Sequence, residues 1–274
     1  MTQSLDLDAY FRRIGYEGER AATLDVLQAL ALRHTEAIAF ENLNPLLGWP
    51  VRLDLESLQQ KVVRQGRGGY CFEQNLLLGA ALTALGFTVG GLAARVLWNS
   101  PEGAITPRGH MLLRVDLDMP YVVDVGFGGV TLTGALRLVA DVEQTTPHEP
   151  FRLRGTGDEF VMQVKLAESW TSLYRFDLQP QFLPDYEVTN WYLSHHPASH
   201  FVNGLIVARP APDRRFALRG NQLAVHYLDG RTERRALETG GELRDTLERD
   251  FRLTLPEEPE LVAALDRIAR GDRP

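Results

Sequence analysis

Arg67-Gly68-Gly69-Tyr70-Cys71-Phe72-Glu73-Gln74-Asn75 places the only cysteine of the 274-residue chain shortly after two glycines, at the start of a helical pattern. Downstream, Leu78, Ala81, Leu82 and Leu85 recur at i, i+3, i+4 and i+7, which predicts a helix with one buried face, and Gly86 supplies a C-terminal stop. A thiol is a strong nucleophile as the thiolate, and the unpaired N–H groups and positive dipole end of a helix N-terminus favour that form. The glycines allow a sharp entry into the helix and leave room beside the sulfur. From these residues alone Cys71 reads either as this nucleophile or as a small core hydrophobe.

The patterns on either side of this stretch differ. Before it, Asp6 caps a segment with Leu7, Tyr10, Phe11 and Ile14 on one face, closed by Gly15, and a second helix starts near Thr23 with Leu24, Leu27, Leu30 and Ala31. The segment 39–45 breaks the pattern, Pro50 turns the chain, and Asp54 caps a third helix with Leu55, Leu58 and Val62 facing inward. After Gly86 the period falls to two: Ala94, Val96 and Trp98, then Met111, Leu113, Val115 and Leu117, then Tyr121, Val123 and Val125 after the Asp118-Met119-Pro120 turn. Further strands are predicted at 151–153, 160–166 and 170–176. The proline- and aromatic-rich 179–197 reads as an irregular crossing segment. Strands at 205–208, 215–218 and 222–228, a hairpin signal at Asp229-Gly230, and helices at 242–250 and after Pro259 complete an α/β end. The expected fold is α+β: an N-terminal helical bundle over 1–86, a central antiparallel β-barrel over 87–200 and a C-terminal α/β piece over 201–274.

Composition narrows the function classes. A hydrophobic content of 44% and a net charge of −7 suit a soluble enzyme and argue against general attraction to nucleic acid or an anionic membrane. One cysteine cannot form an internal disulfide, and the first eight residues lack a basic and apolar leader, so a cytoplasmic location is expected.

A cysteine nucleophile needs a base and a group that orients the base. His110 opens a strand after the glycine- and proline-bearing loop at 99–109, and Asp124 is a carboxylate inside the apolar run Tyr121-Val122-Val123-Asp124-Val125, where an unpaired charge would be costly. Each also has a structural reading, a satisfied histidine and an ion-paired aspartate. A simple hairpin through the Asp118-Met119-Pro120 turn puts Asp124 opposite Leu113 or Arg114, three or four positions from His110, so joining the pair would require a bulge or strong twist, or strands that are not regular partners at that end.

Taken in order, the Arg67–Asn75 stretch, His110-Met111-Leu112 and Val123-Asp124-Val125-Gly126-Phe127-Gly128 resemble the arylamine N-acetyltransferase family. Phe40-Glu41-Asn42-Leu43 and Asn190-Trp191-Tyr192-Leu193-Ser194-His195-His196-Pro197-Ala198-Ser199-His200-Phe201 are similar to two more of its signatures. The resemblance implies a helical bundle, a β-barrel and an α/β lid, the first two like the papain-like cysteine protease core. It implies Cys71 as acetyl-accepting nucleophile, His110 as its base and Asp124 as the residue orienting His110. It implies ping-pong transfer from acetyl-coenzyme A, as co-substrate, to an arylamine or hydrazine. Backbone N–H groups near Cys71 and near Phe127 would hold the oxyanion. Arg67 and Glu41 match a supporting pair, Phe40, Phe127 and Phe201 match the acceptor pocket, and Gly126, Gly128 and Gly129 would bring backbone towards coenzyme A. His195-His196 with His200 is not read as a metal site, because no carboxylate or cysteine lies near in sequence and Pro197 breaks the helical spacing, so no metal is expected. No nucleic-acid or membrane partner is expected, and a homodimer is left open. The alternatives are a thiol hydrolase with the same triad and an amide synthase of natural-product biosynthesis.

Overall fold

A computed structural model describes residues 4–101, 103–156 and 158–271. The outermost three residues at each end of the expected three-part division lie outside them. Helix α1 (Leu7–Ile14) is capped by Asp6, whose carboxylate accepts the Ala9 N–H at 2.9 Å, and ends at Gly15 in the left-handed conformation, φ +64°. Helix α2 (Leu24–Ala37) starts at the Thr23 cap and buries Leu27, Leu30 and Ala31 completely.

The segment read as a break instead contains a short strand, β1 (Phe40–Glu41), and a helical turn, α3 (Leu43–Leu46). The third helix begins at Asp54 as α4 (Leu55–Leu58), then widens into a π-helical stretch, Gln59–Arg64. Leu58 and Val62 are buried as expected. The stretch ends with the Arg67 N–H donating to the Lys61 carbonyl at 3.1 Å. Helix α5 (Cys71–Ala84) follows, its N-terminus buried and its end marked by Gly86 at φ +89°.

Seven strands form the central sheet: β2 (Thr88–Val96), β3 (His110–Asp116), β4 (Pro120–Val123), β5 (Ala135–Arg137), β6 (Phe151–Thr156), β7 (Glu159–Leu166) and β8 (Ser169–Phe176), in the spatial order β5-β4-β3-β2-β8-β7-β6 and all antiparallel. Bridges Gln144↔Phe151 and Ala140↔Leu153 bring β6 onto the chain that follows β5 and nearly close the sheet into a barrel. Leu92, Leu112, Val122, Phe151, Met162 and Leu173 fill it.

The segment 179–197 corrects the expectation of an irregular crossing. It contains helix α6 (Leu183–His195), with Pro184 in its first turn and the Asp185 carboxylate accepting the Phe182 N–H at 2.8 Å. Tyr186, Asn190, Leu193 and Ser194 are buried, while Val188 and Trp191 are exposed, so the apolar residues do not keep to one face. Strands β9 (Ile206–Ala211), β10 (Arg214–Arg219), β11 (Gln222–Tyr227) and β12 (Thr232–Ala236) form the C-terminal sheet, covered by α7 (Gly240–Arg249) and α8 (Pro259–Ala269). Its fifth strand comes from the other end of the chain: β1 pairs with β9 through Phe40↔Ala208 and Glu41↔Val207. Phe40 also bridges to Gly69. One two-residue strand therefore joins the C-terminal sheet to the loop that precedes Cys71.

Candidate active site

Cys71 is the first residue of α5 and is 3% exposed. The Glu73 carboxylate, at the third helical position, reaches back to accept the Tyr70 N–H at 3.0 Å. The two preceding glycines have a reason other than space beside the sulfur. A Cβ on Gly68 would lie 2.1 Å from the Ala39 carbonyl oxygen, and one on Gly69 would lie 2.7 Å from the Glu73 Cβ. They are glycines because backbone and helix side chain close over them.

His110 opens β3, and its Nε2 lies 2.7 Å from Asp124 Oδ2. The register explains the meeting without a bulge. Asp116 pairs with Pro120 and Leu113 with Val123, the last pair of the ladder, so Asp124 follows directly after it on the Leu112 side. Residues 110 and 112 share a face of the strand, so Asp124 and His110 are diagonal neighbours, within reach of these side chains. The expected three- or four-residue gap came from centring the turn too far along the chain, on Met119 rather than on Asp118. With Nε2 bonded to Asp124, Nδ1 is the ring nitrogen left for Cys71, whose thiol donates to the carbonyl of the neighbouring Gly109 at 3.8 Å.

Asp124 is fully buried, yet its oxygens are well supplied with donors. Oδ1 accepts from Asn75 Nδ2 at 3.1 Å and from the Gly126 N–H at 3.0 Å. Burial alone would raise this carboxyl, but the His110 charge and these hydrogen bonds hold it below the usual carboxylate range. Burial would likewise depress His110. The Asp124 charge and hydrogen bond, with the Cys71 contact, overcome it and push the imidazole up to about 10. At neutral pH the ring is therefore an imidazolium donating from Nε2 to a carboxylate.

Two side chains without an assigned role in the sequence reading complete the site. Asn75, one turn after Cys71, donates to the Met111 carbonyl at 2.9 Å as well as to Asp124, and accepts the Val125 N–H at 3.1 Å, fastening α5 to the strand end that carries Asp124. Tyr174 on β8 lies with its ring 4.9 Å from that of His110, and its phenol is raised well above the ordinary range, by burial first and by the Asp124 charge. Asn75 stood within the quoted motif. Tyr174 stood in an ordinary alternating strand and carried no signal.

Phe127 packs edge-on to His110, centroids 5.3 Å apart, whereas Phe40 and Phe201 pair with each other at 6.0 Å, and Phe201 meets Tyr70 at 5.4 Å. The three expected pocket aromatics thus form two groups. Gly126 N–H donates to Asp124 at 3.0 Å, and the Phe127 N–H donates to Thr131 Oγ1 at 3.2 Å. Gly128, at φ +96°, backs the Phe40 ring, and Gly129 borders open space. A Cβ on Gly126 would lie 2.6 Å from the Cys71 Cα. Gly126→Ala is expected to displace the start of α5 and lower kcat/KM by at least about tenfold, since small misplacements of a reacting group carry such losses. Steady-state kinetics on the purified variant check it, and an unchanged kcat/KM would contradict this packing.

Glu41 and Arg67 form a buried pair: Oε1 accepts from Nη2 at 2.8 Å and from Nε at 3.1 Å. Lys61 Nζ lies 2.7 Å from Glu73 and 3.7 Å from Glu41. Burial opposes ionisation of Glu41, but Arg67, Lys61 and the Leu43 N–H hold its carboxyl down at about 2. Glu73 is raised, by burial first and by the Glu41 charge against the pull of Lys61. A cleft of about 1100 Å³ reaches this cluster through Lys61, Arg67 and Glu73 and is lined by none of Cys71, His110, Asp124 or the three phenylalanines. His195 stacks on Trp191 and His196 on Tyr192. Among the described residues no group of three or more His, Cys, Asp or Glu side chains is disposed to hold a metal ion, and no helix is long and apolar enough to cross a membrane.

The model of a family described as N-acetyltransferase matches residues 23–260. The arylamine N-acetyltransferase of Mycobacterium tuberculosis (strain ATCC 25618 / H37Rv) is 45% identical over 270 residues, covering 97% of this chain and 95% of the relative. That of Escherichia coli (strain K12) is 42% identical over 249 residues, covering 90% of this chain and 88% of the relative. The structure of Mycobacterium marinum arylamine N-acetyltransferase in complex with CoA superposes with a TM-score of 0.92 at 43% identity, covering 96% of this chain and 99% of the other. With this fold and a cysteine, histidine and aspartate brought together in it, the chain belongs to the arylamine N-acetyltransferase family.

Proposed function

We propose that the protein transfers an acetyl group from acetyl-coenzyme A to the nitrogen of an arylamine or arylhydrazine through a thioester on Cys71, and that it works in the cytoplasm. What carries this reading is Cys71 at the head of α5, its thiol on the Gly109 carbonyl next to His110, with the His110 Nε2 bonded to a buried carboxylate. Cys71 and His110 act as a thiolate–imidazolium pair. The thiolate attacks the acetyl carbonyl carbon, the bond from that carbon to the coenzyme A sulfur breaks, and the leaving thiolate takes the proton held by His110. The amine nitrogen then attacks the Cys71 thioester, neutral His110 accepts an N–H proton, and Cys71 departs as thiolate, restoring the pair. N–H groups of the first turn of α5 stabilise each oxyanion, an interaction worth about 3 kcal/mol per donor. Asp124 and Asn75 orient His110. Phe127 contacts the acceptor ring, with Phe40 and Phe201 behind it, and the backbone from Gly128 to the open Gly129 faces coenzyme A. Arg67 and Glu41 hold the loop before Cys71.

Mass spectrometry after mixing with acetyl-coenzyme A tests the reading. The expected result is one added acetyl group, mapped to Cys71 and discharged by an arylamine with formation of the N-acetyl product. A wild-type enzyme that gains no adduct, or a Cys71→Ser variant that transfers acetyl at the wild-type rate, would refute it.

A further inference from the structure

His34 lies on α2, completely buried, and takes no part in the chemistry just described. Its Nδ1 is 2.8 Å from the Tyr10 hydroxyl and its Nε2 is 2.7 Å from Gln74 Oε1. The Gln74 amide nitrogen sits among carbonyl oxygens, 2.9 Å from that of Ala39 and 3.2 Å from that of Gly69. Those acceptors fix the orientation of the amide, so Oε1 must be the atom facing His34. His34 Nε2 then carries the proton, and Nδ1 must accept from Tyr10. Every proton in the relay points one way, from α1 through α2 and α5 to the loop at residues 68–70. That loop is also held by the Gly69 carbonyl accepting the Glu41 N–H at 3.1 Å. Cys71 follows it, and Gln74 stands three residues further on the same helix.

We infer that His34 is a positioning residue for the nucleophile: through Gln74 it sets where the chain from Gly69 enters α5, and so where the Cys71 sulfur stands relative to His110. The groups that face it are Tyr10 and Arg13 from α1 and Gln74 from α5. Burial keeps the imidazole neutral, held down at about 4; the Gln74 hydrogen bond opposes this and the Arg13 charge reinforces it. The neutral tautomer is the one the relay requires. An apolar residue of similar size would pack as well but would leave Gln74 Oε1 without its donor, free to turn its amide away from Gly69.

The inference rests on Cys71 being the reacting group, and its test reads the thiol directly. The second-order rate of Cys71 alkylation by iodoacetamide is measured at neutral pH on the full chain for the wild type and for His34→Leu, His34→Gln, Tyr10→Phe and Gln74→Glu. His34→Leu and Gln74→Glu, the latter keeping the acceptor for His34 but losing the N–H groups to Gly69, are expected to slow alkylation about tenfold, the usual scale for a displaced reacting group. Tyr10→Phe, which takes the donor from Nδ1 but leaves the Nε2 bond to Gln74, is expected to slow it less, about threefold. His34→Gln, which can return an N–H to Gln74, is expected to recover most of the rate. In turnover the same variants should lower kcat while leaving the KM for acetyl-coenzyme A within about twofold. If His34→Leu does not fold, Tyr10→Phe and Gln74→Glu decide. Alkylation within twofold of wild type in folded variants overturns the inference. Slowed alkylation with unchanged acetyl transfer would instead overturn the role proposed for Cys71 and leave the positioning by His34 standing.

Discussion

Asp124→Asn is expected to lower kcat/KM for acetyl transfer by about three to four orders of magnitude, the scale of removing the carboxylate from a nucleophile–histidine–aspartate triad. The substitution keeps size and an oxygen for Asn75 and Gly126, so the loss would be electrostatic and tautomeric. Burial is the largest influence on His110, and it depresses the imidazole. The Asp124 charge and hydrogen bond are what principally reverse it. Without them the ring becomes neutral at working pH, and an amide N–H facing Nε2 favours the tautomer with its proton on Nδ1, towards Cys71. The wild-type imidazolium persists as pH rises until about 10 and is lost beyond it. In the variant this limb moves to the acid side of neutrality. Rates of Cys71 acylation measured from mildly acid to strongly alkaline pH would reveal the shift. A loss smaller than about tenfold, or an unmoved alkaline limb, would contradict the assignment of Asp124.

The second large effect concerns stability. Removing one partner of a buried pair leaves an uncompensated charge and costs about 3–5 kcal/mol, so Glu41→Gln should lower the melting temperature by roughly 10 °C in a chain of this size. Its acid dependence has a defined sign. The Glu41 carboxyl lies at about 2 in the folded protein against an ordinary 4.5, so its contribution is fully present above the ordinary value and is lost as pH falls towards 2. Glu41→Gln should flatten that limb of the stability curve. The double variant Glu41→Leu/Arg67→Met removes both charges and should recover much of the lost stability. Calorimetric unfolding of the three proteins checks both statements, and a single variant as stable as wild type would refute them.

Much of this molecule can be read in its residues where short-range rules apply. Asp6, Thr23 and Asp54 mark helix starts, Gly15 and Gly86 mark ends, and the change of period after Gly86 marks the passage from helices to barrel. The failures are equally physical. Helix α6 was obscured because its stacked aromatics and exposed Val188 and Trp191 blur the apolar stripe that periodicity relies on, while Pro184 suits a first helical turn as well as a loop. The His110–Asp124 distance depends on one residue of turn register, which a Met-Pro turn does not announce. For the triad, order along the chain and likeness to a family carried more than any local pattern. Tyr174 and the reason for Gly68, Gly69 and Gly126 depend on what another segment brings close, and no local pattern encodes that.

The strand β1 has a consequence for how the chain folds. Its partners in β9, and the Ile206 N–H that donates to Asn42 Oδ1, lie about 160 residues further along, at a separation of 164 for that hydrogen bond. Contacts so distant in sequence form late, because the intervening loop must first be closed. During synthesis the bundle emerges early, yet the strand that braces the Gly69 loop has no sheet to join until β9 has been made. The nucleophile's surroundings are thus completed near the end of folding, when His110 and Asp124 have already been synthesised.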